Sequence, residues 1–151
     1  MNCQTAKRSV EILVVDDNPG DVRLTAEALK DVKIRNRVHT VKDGREAITF
    51  LRRKGKHAHA PRPDLILLDL NMPRMDGMQV LAEIKKDSTL MSIPVVILTG
   101  SREVEDIAQS YSLNANCYVT KPIDLEQFIT MVKSITSFWL KEVNRELRKA
   151  N

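Results

Sequence analysis

A run of four apolar residues, Leu65–Leu68, constrains the fold more than any other feature of this 151-residue chain. The run is too short for an ordinary helix, and it is bounded by Pro63 on one side and by Pro73 and Gly77 on the other. Such a run predicts a β-strand that is buried on both faces, as in a parallel sheet. The next residue, Asp69, then lies at the carboxyl end of that strand, where open α/β sheets place their sites.

Strands and helices alternate along the rest of the chain. Short apolar runs predict the other strands, at 12–15, 38–41, 95–98 and 117–120. Helical spacing of apolar residues and capping signals predict helices at about 19–31 after Asn18, after Asp43, at 78–86, at 102–112 and after Asp124. Val104 and Tyr111 belong to the predicted apolar face of the fourth helix, and Asn114, which tolerates a left-handed conformation, is predicted to mark its end. The segment 52–63 lacks periodicity and is rich in basic residues, so it is predicted to be a solvated loop. This alternation predicts an α/β fold, a doubly wound five-stranded parallel sheet with five helices, connected by right-handed crossovers.

The length and composition limit the classes of partner. We expect a tail at 1–10, one folded domain at 11–136 and a helical extension at 137–151. The formal net charge of +4 permits an anionic partner, but no dense basic arm is present and no DNA-binding module fits after residue 135, so no direct nucleic-acid binding is predicted. Two cysteines and the lack of a signal peptide or membrane-length run predict a cytoplasmic protein without a membrane partner.

Polar residues follow the predicted strands at the point where each strand ends: Asp16 and Asp17, Asp69, Thr99, and Lys121. Because the carboxyl ends of parallel strands share one edge of the sheet, we expect these side chains to converge. Carboxylates about 4 Å apart repel by roughly 4 kcal/mol per pair at an effective dielectric constant near 20. Lys121 and a hard divalent ion could offset this repulsion, and an all-oxygen site with few protein ligands suits Mg²⁺.

Such a site is also prepared for a phosphoryl group, whose charge in transfer is spread over three equatorial oxygens. Asp69 would attack the phosphorus atom, while the metal, Lys121 and the Thr99 hydroxyl would each hold one oxygen. A single polar residue at a strand end is more often a cap or a solvated side chain. Five of them on the appropriate strand ends are much harder to explain in that way.

Four segments carry a resemblance to a known family: 14–17, 68–77, 98–99 and 118–122. Together they resemble the receiver domain of two-component response regulators, over about 11–135. The resemblance implies a flavodoxin-like fold with strand order 2-1-3-4-5. It also implies a phosphoacceptor switch in signal transduction and not an enzyme, with only self-directed phosphotransfer and autodephosphorylation.

The resemblance assigns a role to each matching residue. Asp69 becomes the phosphoacceptor, and Asp16, Asp17, Asp69 and the backbone carbonyl of Asn71 become the Mg²⁺ ligands. Thr99 and Lys121 become the phosphoryl-binding pair, and Tyr118 becomes a switch aromatic, with a half-buried strand tyrosine as the alternative. The Lys121-Pro122 bond is expected to be a cis peptide, which proline makes tolerable.

Two glycines near the site have separate expectations. Gly77 fits a turn that needs positive φ. Gly100 is smaller than the alanine or threonine that the resemblance leads us to expect, so it leaves room beside the site, and the lifetime of the phosphorylated form stays open.

Segments 112–118 and 137–140 resemble small response regulators encoded alongside cyanobacterial phytochromes. This implies a light-regulated histidine kinase, a cyanobacterial phytochrome, as the phosphodonor. The extension contains Phe138, Trp139, Leu140 and Val143, which we expect to form an exposed patch on a helix. A homodimer through this helix is the preferred interpretation, since twofold association is the commonest kind, and folding back onto the domain is the alternative.

The alternative function is a phosphatase of similar fold that works through an aspartyl-phosphate intermediate. This chemistry resembles that of families with an Asp-x-Asp pattern, in which the second acid protonates the leaving group. Asn71 stands at that second position and cannot donate a carboxyl proton. A dinucleotide-binding function is disfavoured too, because acids and not a glycine-rich turn follow the first strand.

Overall fold

The computed structural model describes residues 9–121 and 124–149, with side chains up to residue 142. Five strands form one sheet: β1 (Val10–Val15), β2 (Asn36–Val41), β3 (Leu65–Leu68), β4 (Val95–Thr99) and β5 (Cys117–Thr120). The α-helices between and after them are α1 (Pro19–Lys30), α2 (Gly44–Leu51), α3 (Gly77–Lys86), α4 (Val104–Ser112) and α5 (Leu125–Lys149). None of the described helices is both long enough and apolar enough to cross a membrane.

The sheet has the predicted parallel arrangement and strand order, β2-β1-β3-β4-β5. Its register places Val15 beside Leu68 and Leu68 beside Ile97, so the ends of the three central strands lie side by side. The fold prediction is therefore confirmed. The strand bounds differ by a few residues, since β2 begins at Asn36 and β4 continues to Thr99.

Two apolar cores lie on opposite faces of the sheet, and β3 contributes to both. Leu65 and Leu67 pack into the core formed with α1 and α5, whereas Ile66 and Leu68 pack into the core formed with α2 and α3. All four side chains are buried. The apolar run that predicted this strand is thus explained by burial on both faces.

Aspartate or asparagine side chains cap the N-termini of four of the helices. Asn18 accepts a hydrogen bond from the backbone N–H of Asp21, and Asp43 accepts one from the backbone N–H of Glu46. Asp76 forms a reciprocal capping box with Gln79, and Asp124 accepts from the N–H groups of residues 126 and 127. These bonds satisfy amides that have no partner inside the helix. The predicted caps Asn18, Asp43 and Asp124 are confirmed.

Helix α4 differs from the prediction in its exposure. It begins at Val104, which is 78% exposed, and Tyr111 of the same predicted apolar face is also exposed. Ser110 is the buried residue of this helix. Asn114, which was expected to tolerate a left-handed conformation after the helix, has φ 68. The helical spacing of apolar residues predicted α4 correctly, but the predicted apolar face of this helix does not pack into the core.

The segment between α2 and β3 was expected to be a solvated loop, and this was wrong for His57. A short 3₁₀ helix spans Gly55–His57. The ring of His57 packs against Phe50 at 5.1 Å between centroids, and its Nε2 lies 3.1 Å from the Glu46 carboxylate. An aromatic neighbour on α2 therefore removes this histidine from full exposure.

Helix α5 runs for 25 residues without a break across the predicted boundary at 136. A buried stripe at a spacing of four residues follows its inner face, at Phe128, Val132, Thr136 and Leu140. Leu140 is fully buried and Trp139 packs against the same core, so the expectation that Leu140 belongs to an exposed patch is wrong. Phe138 is 58% exposed, and the side chain of Val143 lies outside the described residues.

Candidate functional site

Backbone hydrogen bonds hold the candidate site residues at one edge of the sheet. Asp16, Asp69 and Lys121 each follow the last residue of a strand and continue its pairing with a neighbour. Asp16 N donates to Val41 O at 3.1 Å, Asp69 N donates to Val15 O at 2.9 Å, and Lys121 N donates to Thr99 O at 2.7 Å. The positions of their side chains are therefore set by the sheet itself and not by mobile loops.

Three carboxylates converge at this edge. Asp16, Asp17 and Asp69 each offer an oxygen, and these atoms lie within 4.8 Å of one another. Asp16 and Asp69 are buried, whereas Asp17 is exposed. Buried oxygens of this charge and spacing fit a hard divalent cation that keeps several of its waters. Asp17 provides the open side through which such an ion and its waters can enter.

The ammonium group of Lys121 lies among buried carboxylates. Its Nζ is 2.8 Å from Asp16 Oδ2, 3.0 Å from Asp69 Oδ2 and 2.8 Å from Asp21 Oδ2. Burial by itself would lower the pKa of Lys121, but the hydrogen bonds to Asp16 and Asp21 and the nearby negative charge outweigh it and raise that pKa. The lysine therefore stays protonated. Burial also raises the pKa of Asp16, although Lys121 acts in the opposite direction.

Asp21 was not among the residues that the sequence predicted for the site. It lies in the first turn of α1, where an acid is common because it interacts favourably with the helix dipole. Its position in the sequence could have identified it. Asp21 comes five residues after Asp16, in the first turn of a helix that begins at this edge of the sheet.

The hydroxyl of Thr99 is the informative polar group of the site. Thr99 is fully buried, and its Oγ1 has no hydrogen-bond partner within the described part of the chain. A buried hydroxyl without a partner costs free energy, on the order of 1–3 kcal/mol. Such a group fits a ligand oxygen that arrives only in another state of the protein, as the predicted phosphoryl-binding role requires.

The connection from β3 to α3 folds tightly against Asp69. Asn71 N donates to Asp69 Oδ1 at 3.2 Å, and Gly77 N donates to Leu70 O at 2.9 Å. A Cβ atom on Gly77 would lie 2.1 Å from the backbone oxygen of Asp69. Gly77 is not among the described glycines with positive φ, so that expectation was wrong, and close approach of two backbones is the reason for glycine here. The metal-binding role of the Asn71 carbonyl stays a prediction.

Tyr118 and Gly100 lie near the end of β4 and the loop that follows it. The hydroxyl of Tyr118 donates to Ser101 O at 2.9 Å, and its ring is half-buried. A Cβ atom on Gly100 would have no heavy atom within 4 Å, so space is open there. The switch role of Tyr118 stays a prediction. The predicted cis peptide at Lys121-Pro122 lies outside the described residues, because Pro122 is not described.

An open groove of about 860 Å³ adjoins the carboxylates on the side of α3 and α4. Its lining includes Asp17, Asn71 and Asp106, together with the apolar side chains of Met72 and Leu113. The site is therefore accessible from solvent along this groove even though Asp69 is buried.

Comparisons with known proteins agree with this geometry. A model of the response regulator receiver domain family matches residues 12–133. Response regulator Rcp1 from Synechocystis sp. (strain ATCC 27184 / PCC 6803 / Kazusa) is 47% identical over 132 residues, which cover 87% of this chain and 90% of Rcp1.

Two solved structures are similar throughout most of their length. The phosphorylated cyanobacterial phytochrome response regulator RcpA has 51% identity and a TM-score of 0.86, with 88% of this chain and 95% of RcpA covered. The Mn²⁺-bound form of Rcp1 has 46% identity and a TM-score of 0.84, with 87% of this chain and 94% of that one covered.

Proposed function

The chain belongs to the response regulator receiver domain family, and from that premise we propose that it is a single-domain response regulator phosphorylated on Asp69. The phosphodonor is a histidine kinase, and the reaction depends on Mg²⁺. Receiver domains are signalling switches and not enzymes in the usual sense, so the product is a changed state of the protein itself. The observation that carries this proposal is the buried hydroxyl of Thr99, which has no hydrogen-bond partner among the described residues and lies at the same sheet edge as Asp69 and Lys121.

The chemistry assigns one task to each group. A carboxylate oxygen of Asp69 attacks the phosphorus of a phosphohistidine, the P–N bond breaks, and its electron pair goes to the imidazole nitrogen. Lys121, whose Nζ lies 3.0 Å from Asp69 Oδ2, binds one phosphoryl oxygen, and the Thr99 hydroxyl binds another. Asp16, Asp17 and Asp69 would hold Mg²⁺, with the Asn71 carbonyl as a fourth ligand. The ion supplies positive charge that offsets the carboxylates and the transferred group.

The signal then depends on a shift between two populations of the protein. Binding of the Thr99 hydroxyl to a phosphoryl oxygen displaces the end of β4. Gly100 leaves space for that displacement, and Tyr118, which bonds to Ser101 O in this state, moves with the loop. The phosphatase alternative is not favoured, because Asn71 offers no carboxyl proton for a leaving group.

The relatives support a more specific partner. Because RcpA is a phytochrome response regulator by its description, we propose a cyanobacterial phytochrome as the cognate kinase, acting in the cytoplasm. The receiver domain would span 11–136. We further propose that a homodimer uses the outer face of α5, where Phe138 is exposed. Sedimentation velocity across concentrations, with and without a phosphoryl analogue, would reveal such a dimer, and a monomer under all conditions would count against it.

The direct test is incubation with Mg²⁺ and acetyl phosphate, followed by peptide mass mapping of the label. We expect the label on Asp69 and its loss in Asp69→Asn, which keeps the shape of the side chain. Asp76→Asn is the matched control, because asparagine caps a helix about as well as aspartate, and it should be labelled like the wild type. Label retained by Asp69→Asn would refute the assignment. Lys121→Ala should still take up some label but fail to change its oligomeric state.

A further inference from the structure

Asp21 contacts the site although it lies on a different element from the predicted residues. Its Oδ2 accepts a hydrogen bond from Lys121 Nζ at 2.8 Å, the same distance as the bond to Asp16. The Asp21 side chain is partly exposed, whereas those of Lys121 and Asp16 are almost fully buried. Asp21 therefore lies at the rim of the site, on the first turn of α1.

A lysine ammonium has three hydrogens, and here each has a carboxylate partner: Asp16, Asp21 and Asp69. With two hydrogens held by Asp16 and Asp21, the third is directed at Asp69. On this basis we propose that Asp21 is a positioning residue that holds the Lys121 ammonium and sets how strongly it engages a phosphoryl group on Asp69. This role rests on the function proposed above.

The charge of Asp21 determines whether its removal strengthens or weakens the binding of a phosphoryl analogue. The Asp21 and Asp69 oxygens both lie within about 3 Å of the same nitrogen, so they are less than about 6 Å apart. A phosphoryl dianion on Asp69 is thus repelled by Asp21, and it competes with Asp21 for the same ammonium. Removing this charge while keeping an acceptor in place, as asparagine does, should tighten the binding of a phosphoryl analogue.

A purely structural role for Asp21 makes a different prediction. An acid in the first turn stabilises a helix through its dipole, so its neutralisation would weaken α1 without changing the affinity of the site for an anion. Asp31 provides a matched control. It also belongs to the α1 region and pairs with a lysine of α5, since Asp31 Oδ2 lies 3.0 Å from Lys133 Nζ, but that pair is more exposed and does not involve the site residues.

The test compares wild type, Asp21→Asn and Asp31→Asn by titration with beryllofluoride in the presence of Mg²⁺. We expect Asp21→Asn to bind the analogue on the order of three- to tenfold more tightly, and Asp31→Asn to bind like the wild type. NMR of the lysine ammonium groups in the metal-free protein adds a readout of contact. The Lys121 signal should shift in Asp21→Asn and not in Asp31→Asn, and Asp21→Glu should restore the affinity toward that of the wild type.

Two results would overturn this role, and they are distinguishable. An Asp21→Asn protein with wild-type affinity and an unshifted Lys121 signal would refute the role of Asp21 alone. Wild type and Asp31→Asn proteins that both fail to bind beryllofluoride would refute the proposed function, and this role with it.

Discussion

Replacing Lys121 with methionine tests whether one ammonium group balances the carboxylates in the metal-free protein. The substitution keeps most of the side-chain volume but removes the partner of two nearly buried carboxylates, Asp16 and Asp69. Removing one member of a buried ion pair usually costs about 3–5 kcal/mol. The expected loss of unfolding free energy is therefore large compared with the 5–15 kcal/mol of a typical domain.

Protonation of a carboxylate limits that cost. A carboxyl group with an ordinary pKa near 4 takes up a proton at pH 7 for about 4 kcal/mol, since each pH unit corresponds to 1.36 kcal/mol. The loss in Lys121→Met at pH 7 should therefore be about 3–4 kcal/mol. In the variant, loss of the counter-charge raises the carboxyl pKa above its unfolded value, so the destabilisation is largest at high pH. It should fall to about 1 kcal/mol near pH 5.

Urea unfolding followed by circular dichroism measures this free energy, at pH 7 and pH 5 and with EDTA or 10 mM MgCl₂. Mg²⁺ should restore much of the lost stability, because it supplies the missing positive charge. Lys133→Met is the control. The ion pair of Lys133 with Asp31 is exposed, so its loss should cost less than about 1 kcal/mol. A Lys121→Met protein that lost under 1 kcal/mol at pH 7, independent of pH and Mg²⁺, would refute the account of charge balance.

Four further substitutions test separate features by the same unfolding measurement. Gly77→Ala should lower the free energy of unfolding by about 2 kcal/mol or more and slow phosphoryl uptake, because the new Cβ would clash with the Asp69 carbonyl. Gly100→Ala is the control: open space surrounds this position, so it should cost less than about 0.5 kcal/mol, as expected of a surface change. Leu140→Ala should cost about 2–5 kcal/mol, and a negligible loss would show that Leu140 is exposed. Burial opposes the charge of Glu11, but bonds from Arg37 and His39 outweigh it and lower its pKa. Glu11→Gln should therefore cost about 1–3 kcal/mol at neutral pH, and the difference from wild type should vanish as the pH falls through that lowered pKa; a loss independent of pH would contradict the ion-pair account.

The central strands and their terminal residues were predictable because local patterns determine them. The short apolar run Leu65–Leu68, with its flanking prolines, indicates a doubly buried strand, and parallel pairing then brings Asp16, Asp69 and Lys121 to one edge. Asp21 was not predictable in this way. Its contact with Lys121 depends on how α1 sits on the sheet, and the sequence around it fits an ordinary first-turn acid equally well.

Two errors have a shared physical cause. Leu140 was assigned to an exposed patch beyond the folded domain, but an unbroken α5 carries the buried stripe of Phe128 and Val132 two turns further, through Thr136 to Leu140. Gly77 was explained by its own dihedral angle, although the constraint comes from a backbone eight residues earlier. In both cases the deciding contact is distant in sequence, which local patterns cannot report.

The alternation of β3 between two cores also limits where movement can occur. A slip of this strand by one residue would exchange the side chains of Ile66 and Leu67 between the two opposite cores. The strand that precedes Asp69 is therefore held in a fixed register. Helix α4 has the opposite character, because Ser110 is its buried residue and Val104 is open to water. We therefore expect a movement that starts at Asp69 to spread into α4, whose described residues are only lightly anchored, and not through β3.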